Sequence, residues 1–151
     1  MRAALLDSVS LPVSSTPVAT YPAAGERTYP SELAAAIDRG AVVVDIRESG
    51  ERAAQGTLPG ALAIGAELLP ARLDPAHPGR LALATDRDRE WILVSAYGAD
   101  TRRVVRDLRR RGLRGVTTLV GGYAAIRSAN LVGAVTAAQH VAEDVARVTA
   151  H

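Results

Sequence analysis

The chain has 151 residues, the size of one ordinary domain, and its 48% hydrophobic residues suffice to bury a core at that length. With no cysteine it can form no disulfide, no thiolate metal site and no iron–sulfur cluster, and it carries no thiol nucleophile. A net charge of +2 is too small to imply a nucleic-acid or membrane partner, and the three scattered histidines, His77, His140 and His151, offer no metal-ligand spacing.

Residues 1–26 mix Ser, Thr and Ala with Pro12, Pro17 and Pro22 and show no period, which predicts a flexible N-terminal arm. The run Ala3-Ala4-Leu5-Leu6 is cut by Asp7 and is too short for a secretory signal. No stretch approaches the roughly 18 apolar residues of a membrane span, so a cytoplasmic location is expected. Ser31 is a candidate N-cap for a helix Glu32–Arg39 that buries Leu33, Ala36 and Ile37 and stops at Gly40. Ala41-Val42-Val43-Val44-Asp45 is a continuous β-branched run, the pattern of a strand buried on both faces. A short helix around Glu51–Gln55, a turn at Pro59-Gly60, a brief strand Ala61–Ile64 and a helix over residues 66–73 follow. Asp74–Asp88 holds Pro75, Pro78 and Gly79 and reads as a loop with at most one helical turn.

The second half alternates more regularly. Trp91–Val94 is a strand, Ser95–Asp100 a loop, Thr101–Arg111 a helix closed by Gly112, Val116–Val120 a strand, Gly121-Gly122 a turn and Tyr123–Ala129 a helix. Strand-then-helix order predicts a parallel sheet covered on both faces, and a core of Ala, Val, Leu and Ile without Phe suits it. Seven arginines between positions 102 and 114 alternate with Val104, Val105, Leu108 and Leu113, which makes them the solvated side of an amphipathic helix. No aromatic residue is interleaved for base stacking, so no nucleic-acid partner is expected. Residues 134–149 space Ala134, Ala137, Ala138, Val141, Val145 and Val148 at three and four, predicting a last helix that packs on the body or on a second copy. Either a monomer or a homodimer fits that face.

Five segments in order carry a resemblance: Val43-Val44-Asp45-Ile46-Arg47 with Glu51 beyond it, Leu58-Pro59-Gly60-Ala61, Arg72-Leu73-Asp74-Pro75, the strand–loop–helix 91–112, and Leu119-Val120-Gly121-Gly122-Tyr123. Across residues 27–133 the chain resembles the single-domain rhodanese-like family, in its actinobacterial form. The resemblance implies an α/β three-layer fold with a five-stranded, mostly parallel sheet. Active members of that family place a cysteine directly after the strand matching Trp91–Val94, in a cradle of backbone N–H groups at a helix N-terminus that stabilises a persulfide. Alignment on Gly98 puts that cysteine at Ser95.

Three further positions depart from the pattern: Asp100, often arginine or small and polar; Tyr97, before the loop glycine; and Thr57, often histidine. An aspartate at the helix mouth disfavours an anionic, thiosulfate-like substrate, with Arg102 and Arg103 partly offsetting it. The implied reading is a member without sulfurtransferase activity and without a cofactor or metal. It would bind a small molecule or protein partner through the 95–101 crevice, lined by Ala96, Gly98, Ala99, Thr101 and Arg102 with Asp45 and Arg47 beside it. Asp45 and Arg47 are expected to hold the adjacent turn by a salt bridge or by capping, and Asp100 to cap the helix at Thr101. Two alternatives stay open. One is a repurposed enzyme, from bacterial specialised metabolism, in which Ser95, Tyr97 and Asp100 supply hydrogen bonds and acid/base chemistry to a non-sulfur substrate. The other is an active sulfurtransferase whose natural cysteine was replaced by serine through mutagenesis.

Overall fold

A computed structural model describes residues 25–99 and 101–138. Its elements are β1 (Arg27–Thr28), α1 (Pro30–Asp38), β2 (Val42–Asp45), α2 (Ser49–Gln55), β3 (Leu62–Ala63), α3 (Leu69–Leu73, entered through a 3₁₀ turn at Ala66–Leu68), β4 (Trp91–Val94), α4 (Thr101–Arg110), β5 (Val116–Leu119), α5 (Gly122–Ser128) and α6 (Val132–Thr136). The five strands form one sheet in the order β1-β5-β4-β2-β3, and every pairing is parallel.

The two-residue period of the strands sorts their side chains into two cores. Val42, Val44, Trp91, Leu93 and Val116 face one side, where Leu69 and Leu73 of α3 and Val105 and Leu108 of α4 cover them. Val43, Ile92 and Val94 face the other side, against Leu33 and Ala36 of α1, Tyr123 and Ile126 of α5 and Val135 of α6. Both faces of the central strands are buried, which is why these strands read as unbroken apolar runs. The register Val42↔Trp91 through Asp45↔Val94 sets the ends of β2 and β4 side by side.

The architecture agrees with the expected three-layer fold, and the differences are local. The first helix begins at Pro30, so Ser31 is not its N-cap; Tyr29, in extended conformation, holds that place. Proline suits the first helical position because it lacks the N–H that would go unpaired there. Glu32 reaches back so that its Oε1 accepts the Tyr29 N–H at 2.9 Å. β1 was not expected as a strand, and it forms because Arg27 and Thr28 align with Thr118 and Leu119 at the sheet edge. A buried hydroxyl pair at 2.6 Å between Thr28 and Thr117 secures it. Of the helix expected over residues 134–149, the described part ends at Thr136, and the rest lies outside the described residues, as do His140, His151 and the N-terminal arm up to residue 24. No helix among the described residues is long and apolar enough to cross a membrane.

Candidate functional site

β2 continues outward to β3, whereas β4 continues to β5 on the opposite side of the sheet. The carboxyl ends of β2 and β4 therefore flank the point where the winding reverses, the usual place for a ligand crevice in an open α/β sheet. Two chain segments meet there: Asp45-Ile46-Arg47 after β2, and the loop from Ser95 after β4. Ile46 donates its N–H to the Val94 carbonyl at 2.9 Å and ties the two together.

The loop is fixed by the turn after β5. Tyr123 and Ala124 donate their N–H groups to the Ser95 and Ala96 carbonyls at 2.7 and 3.1 Å. This approach requires glycine at 122, which sits at φ +61; a Cβ there would lie 2.3 Å from the Ser95 carbonyl oxygen and 2.6 Å from the Gly98 nitrogen. Gly98 faces the same turn at φ +84, where a Cβ would come within 2.9 Å of the Gly121 nitrogen. On the helix side, Thr101 is fully buried; its hydroxyl donates to the Gly98 carbonyl at 3.2 Å and accepts from Thr118 on β5.

Within this frame Ser95 is partly buried, and its Oγ accepts the Gly98 N–H at 2.7 Å. The hydroxyl thus stands where the loop turns its amide toward a side chain at position 95. No residue among those described takes the Ser95 O–H hydrogen or offers it a base, and a serine hydroxyl without an adjacent base is a poor nucleophile. The N–H groups of Ala96, Tyr97 and Ala99 likewise have no hydrogen-bond acceptor among the described residues. Chemically the loop presents donors, which suit a ligand bearing acceptor oxygens. Tyr97 stands at the loop's tip, 68% exposed, Ala99 and Arg102 are exposed and Ala96 is buried. Asp100, expected as a helix cap or a carboxylate facing the crevice, lies outside the described residues.

Asp45 and Arg47 form the expected salt bridge. Arg47 Nε and Nη2 contact the two Asp45 oxygens at 3.0 and 2.8 Å, and the Arg47 N–H adds a third bond to the same carboxylate at 3.1 Å. Both side chains are essentially inaccessible, at 0% and 2% exposure. Arg47 Nη1 reaches Gln55 Oε1 at 3.3 Å, and the guanidinium lies 3.8 Å from the centre of the Tyr123 ring. The pair thereby links β2, α2 and the turn that holds the 95–99 loop.

Gly121, Gly122, Tyr123 and Thr118 support the loop, although sequence reasoning assigned none of them to the site. The signal was present as two glycines followed by an aromatic residue after a strand, but only the tertiary register shows what those glycines approach. Thr57 is exposed; its carbonyl accepts a long bond from the Tyr123 hydroxyl at 3.4 Å. No cluster of three potential metal ligands occurs among the described residues.

Comparison with known proteins bears on this geometry. The family model for the rhodanese-like domain matches residues 29–129. Among solved structures, a protein of unknown function from Rhodopseudomonas palustris, described as a possible tyrosine phosphatase, is 25% identical with a TM-score of 0.59, over 70% of this chain and 81% of that one. A protein from Lactobacillus plantarum shares the fold at 20% identity and a TM-score of 0.53, over 76% of this chain and 90% of its own. A rhodanese-related protein from Thermoplasma volcanium does so at 20% identity and a TM-score of 0.50, over 68% and 92%. No curated protein matches the chain.

Proposed function

This chain belongs to the rhodanese-like domain family, and on that footing we propose that its 95–101 loop is a binding site rather than a sulfur-transfer centre. The chain has no cysteine, so no persulfide can form on it and thiol-dependent sulfur transfer is closed. Phosphoryl transfer through a cysteine thiolate is closed for the same reason.

The observation that carries the proposal is the Ser95 hydroxyl accepting the Gly98 N–H at 2.7 Å inside a loop that the Gly121-Gly122 turn still holds in shape. A preorganised donor cradle persists without the sulfur it would serve, and preorganisation lowers the entropic cost of binding. The ligand class that fits is a small molecule or a protein partner presenting an uncharged acceptor oxygen, because Asp100 in the sequence works against a full negative charge. Exposed Tyr97 adds an aromatic contact at the rim, a residue type enriched where proteins meet their partners.

The repurposed-enzyme alternative requires a base for Ser95, and none stands within hydrogen-bond reach among the described residues. His77 is spent elsewhere: its Nδ1 accepts the Gly79 N–H at 2.8 Å. Two measurements test the binding reading. Thiosulfate and mercaptopyruvate assays with cyanide should show no turnover by the unmodified chain. A set of neutral carbonyl and amide fragments, followed by amide-resolved NMR, should give saturable shifts in Ser95–Arg102 that Ser95→Ala and Tyr97→Ala weaken. Turnover by the unmodified chain, or the absence of any saturable shift in this loop, would overturn the proposal.

A further inference from the structure

An open groove of about 340 Å³ lies between α4 and the segment that leads into α3. Ala66 and Pro70 form one wall, and Val104 and Leu108 of α4 form the other. At about 100° per residue, Arg103 and Arg110 point almost the same way from the helix, with Asp107 beside them. These three make the outer rim, while Val104 and Leu108 turn inward to the core.

The rim is cationic. α4 carries five arginines and a single aspartate, Asp107, whose carboxylate is held by Arg111 at 3.0 Å. Two of the other arginines are engaged away from the groove: Arg106 turns to Glu26 at 3.5 Å, and Arg109 donates to the Val116 carbonyl at 2.9 Å. Arg103 and Arg110 are exposed and meet no carboxylate among the described residues. Asp100 precedes Arg103 by three positions in the sequence, and a single carboxylate there offsets only one of the two charges. Solvated arginines alone are ordinary on a helix. Here they border an apolar seam that nothing among the described residues covers.

We infer that this groove docks an acidic amphipathic helix of a partner protein. Arg103 and Arg110 are separated by about 10 Å along the axis, at roughly 1.5 Å per residue. Acidic residues seven positions apart on a helix lying alongside have the same separation. Apolar residues three and four positions after the first acid then fall between the two ion pairs, onto Ala66, Pro70, Val104 and Leu108, which is the helix-in-groove mode of recognition. No aromatic side chain lines the groove, so a nucleic acid gains no stacking there. An open groove does not enclose a small molecule, so affinity has to come from a long contact of this kind. The groove lies outside the 95–101 crevice and stands without the function proposed for it.

The test is a titration of the full-length, isotopically labelled chain with a capped helical peptide. The peptide carries two glutamates seven positions apart and leucines three and four positions after the first, on an alanine and glutamine background. Saturable amide shifts should appear in Ala66–Leu69 and Arg103–Arg111. The same peptide with glutamine for both glutamates, or with alanine for both leucines, should bind roughly fivefold more weakly or worse. Arg103→Gln/Arg110→Gln alters two exposed side chains and should weaken the acidic peptide roughly fivefold at low salt, the loss expected for two surface ion pairs. Ala66→Glu places a carboxylate in the groove wall and should weaken it independently. The fluorescence of the sole tryptophan, Trp91, reports whether each variant is folded. The inference is overturned if the acidic peptide gives no saturable shift, if the glutamine or alanine peptide binds as well, or if the folded double variant binds unchanged. It is equally overturned if an oligothymidylate of the same charge binds these residues as tightly, or if the shifts fall on the Ser95–Ala99 loop alone.

Discussion

Replacing Arg47 with methionine should cost the fold about 3–5 kcal/mol, the usual penalty for removing one partner of a buried ion pair. The reason lies in what is left behind. Asp45 is 2% exposed, and without the guanidinium its carboxylate keeps only the Arg47 backbone N–H at 3.1 Å as a donor. Methionine fills much of the space but supplies no charge and no hydrogen bond, and the stacking contact 3.8 Å above Tyr123 loses its cationic part. For a chain of this length each kcal/mol shifts the melting temperature by roughly 2–4 °C, so a drop of about 6–20 °C is expected. Urea unfolding followed by Trp91 fluorescence measures it directly, because that side chain is fully buried in the folded state. The companion variant Asp45→Leu/Arg47→Met removes both charges, and it should regain most of the loss, since apolar replacement of a whole buried pair is often neutral or better. An Arg47→Met chain within about 1 kcal/mol of the unmodified one, or a double variant as unstable as the single, would refute the account of a desolvated carboxylate held by one arginine.

Gly122→Ala places a Cβ 2.3 Å from the Ser95 carbonyl oxygen at φ +61, so it should destabilise by more than about 1 kcal/mol and shift the Ser95–Ala99 amides; unchanged amide shifts would show that the turn does not hold the loop. In Ser95→Cys, the introduced thiol takes the Gly98 N–H at the entrance to α4, so its ionisation should fall below the ordinary value of about 8.5, read as the pH profile of alkylation; an ordinary profile would mean that the cradle no longer stabilises an anion. The Asp88 carboxyl is held below the ordinary carboxylate range, chiefly by the hydrogen bond from Arg114. Its contribution to stability is therefore present above the unfolded-state value of about 3.9 and is lost as pH falls through the folded-state value. Arg114→Gln should raise the Asp88 midpoint measured by carboxyl NMR, and a midpoint that stays put would refute the pairing.

The parts of the fold that the sequence reveals are those whose burial is written in one segment. Val42–Asp45 and Trp91–Val94 are apolar on both faces, so a short unbroken run identifies them. On α4 the arginines alternate with Val105 and Leu108, whose burial matches the expected face. β1 escapes such reading because two residues have no period; Arg27 and Thr28 are a strand only by virtue of their partners on β5. The Asp45–Arg47 pair was legible for a related reason: partners two residues apart at a strand end have few other places to go.

Sequence reasoning fails where the partner of a group is chosen by the tertiary register. Asp86-Arg87-Asp88-Arg89-Glu90 alternates in sign along the chain. Folding sends those charges to other elements: Arg87 goes to Asp74, Asp88 to Arg114 beyond α4, and Glu90 to Arg39 at the end of α1. Each of these pairs is individually weak, yet together they tie the segment to three distant parts of the chain. Arg89 makes none of these pairs, and its Nε is inaccessible and without a hydrogen-bond partner among the described residues. Partners this distant along the chain leave no period in any one segment, so these pairs become visible only in the folded structure.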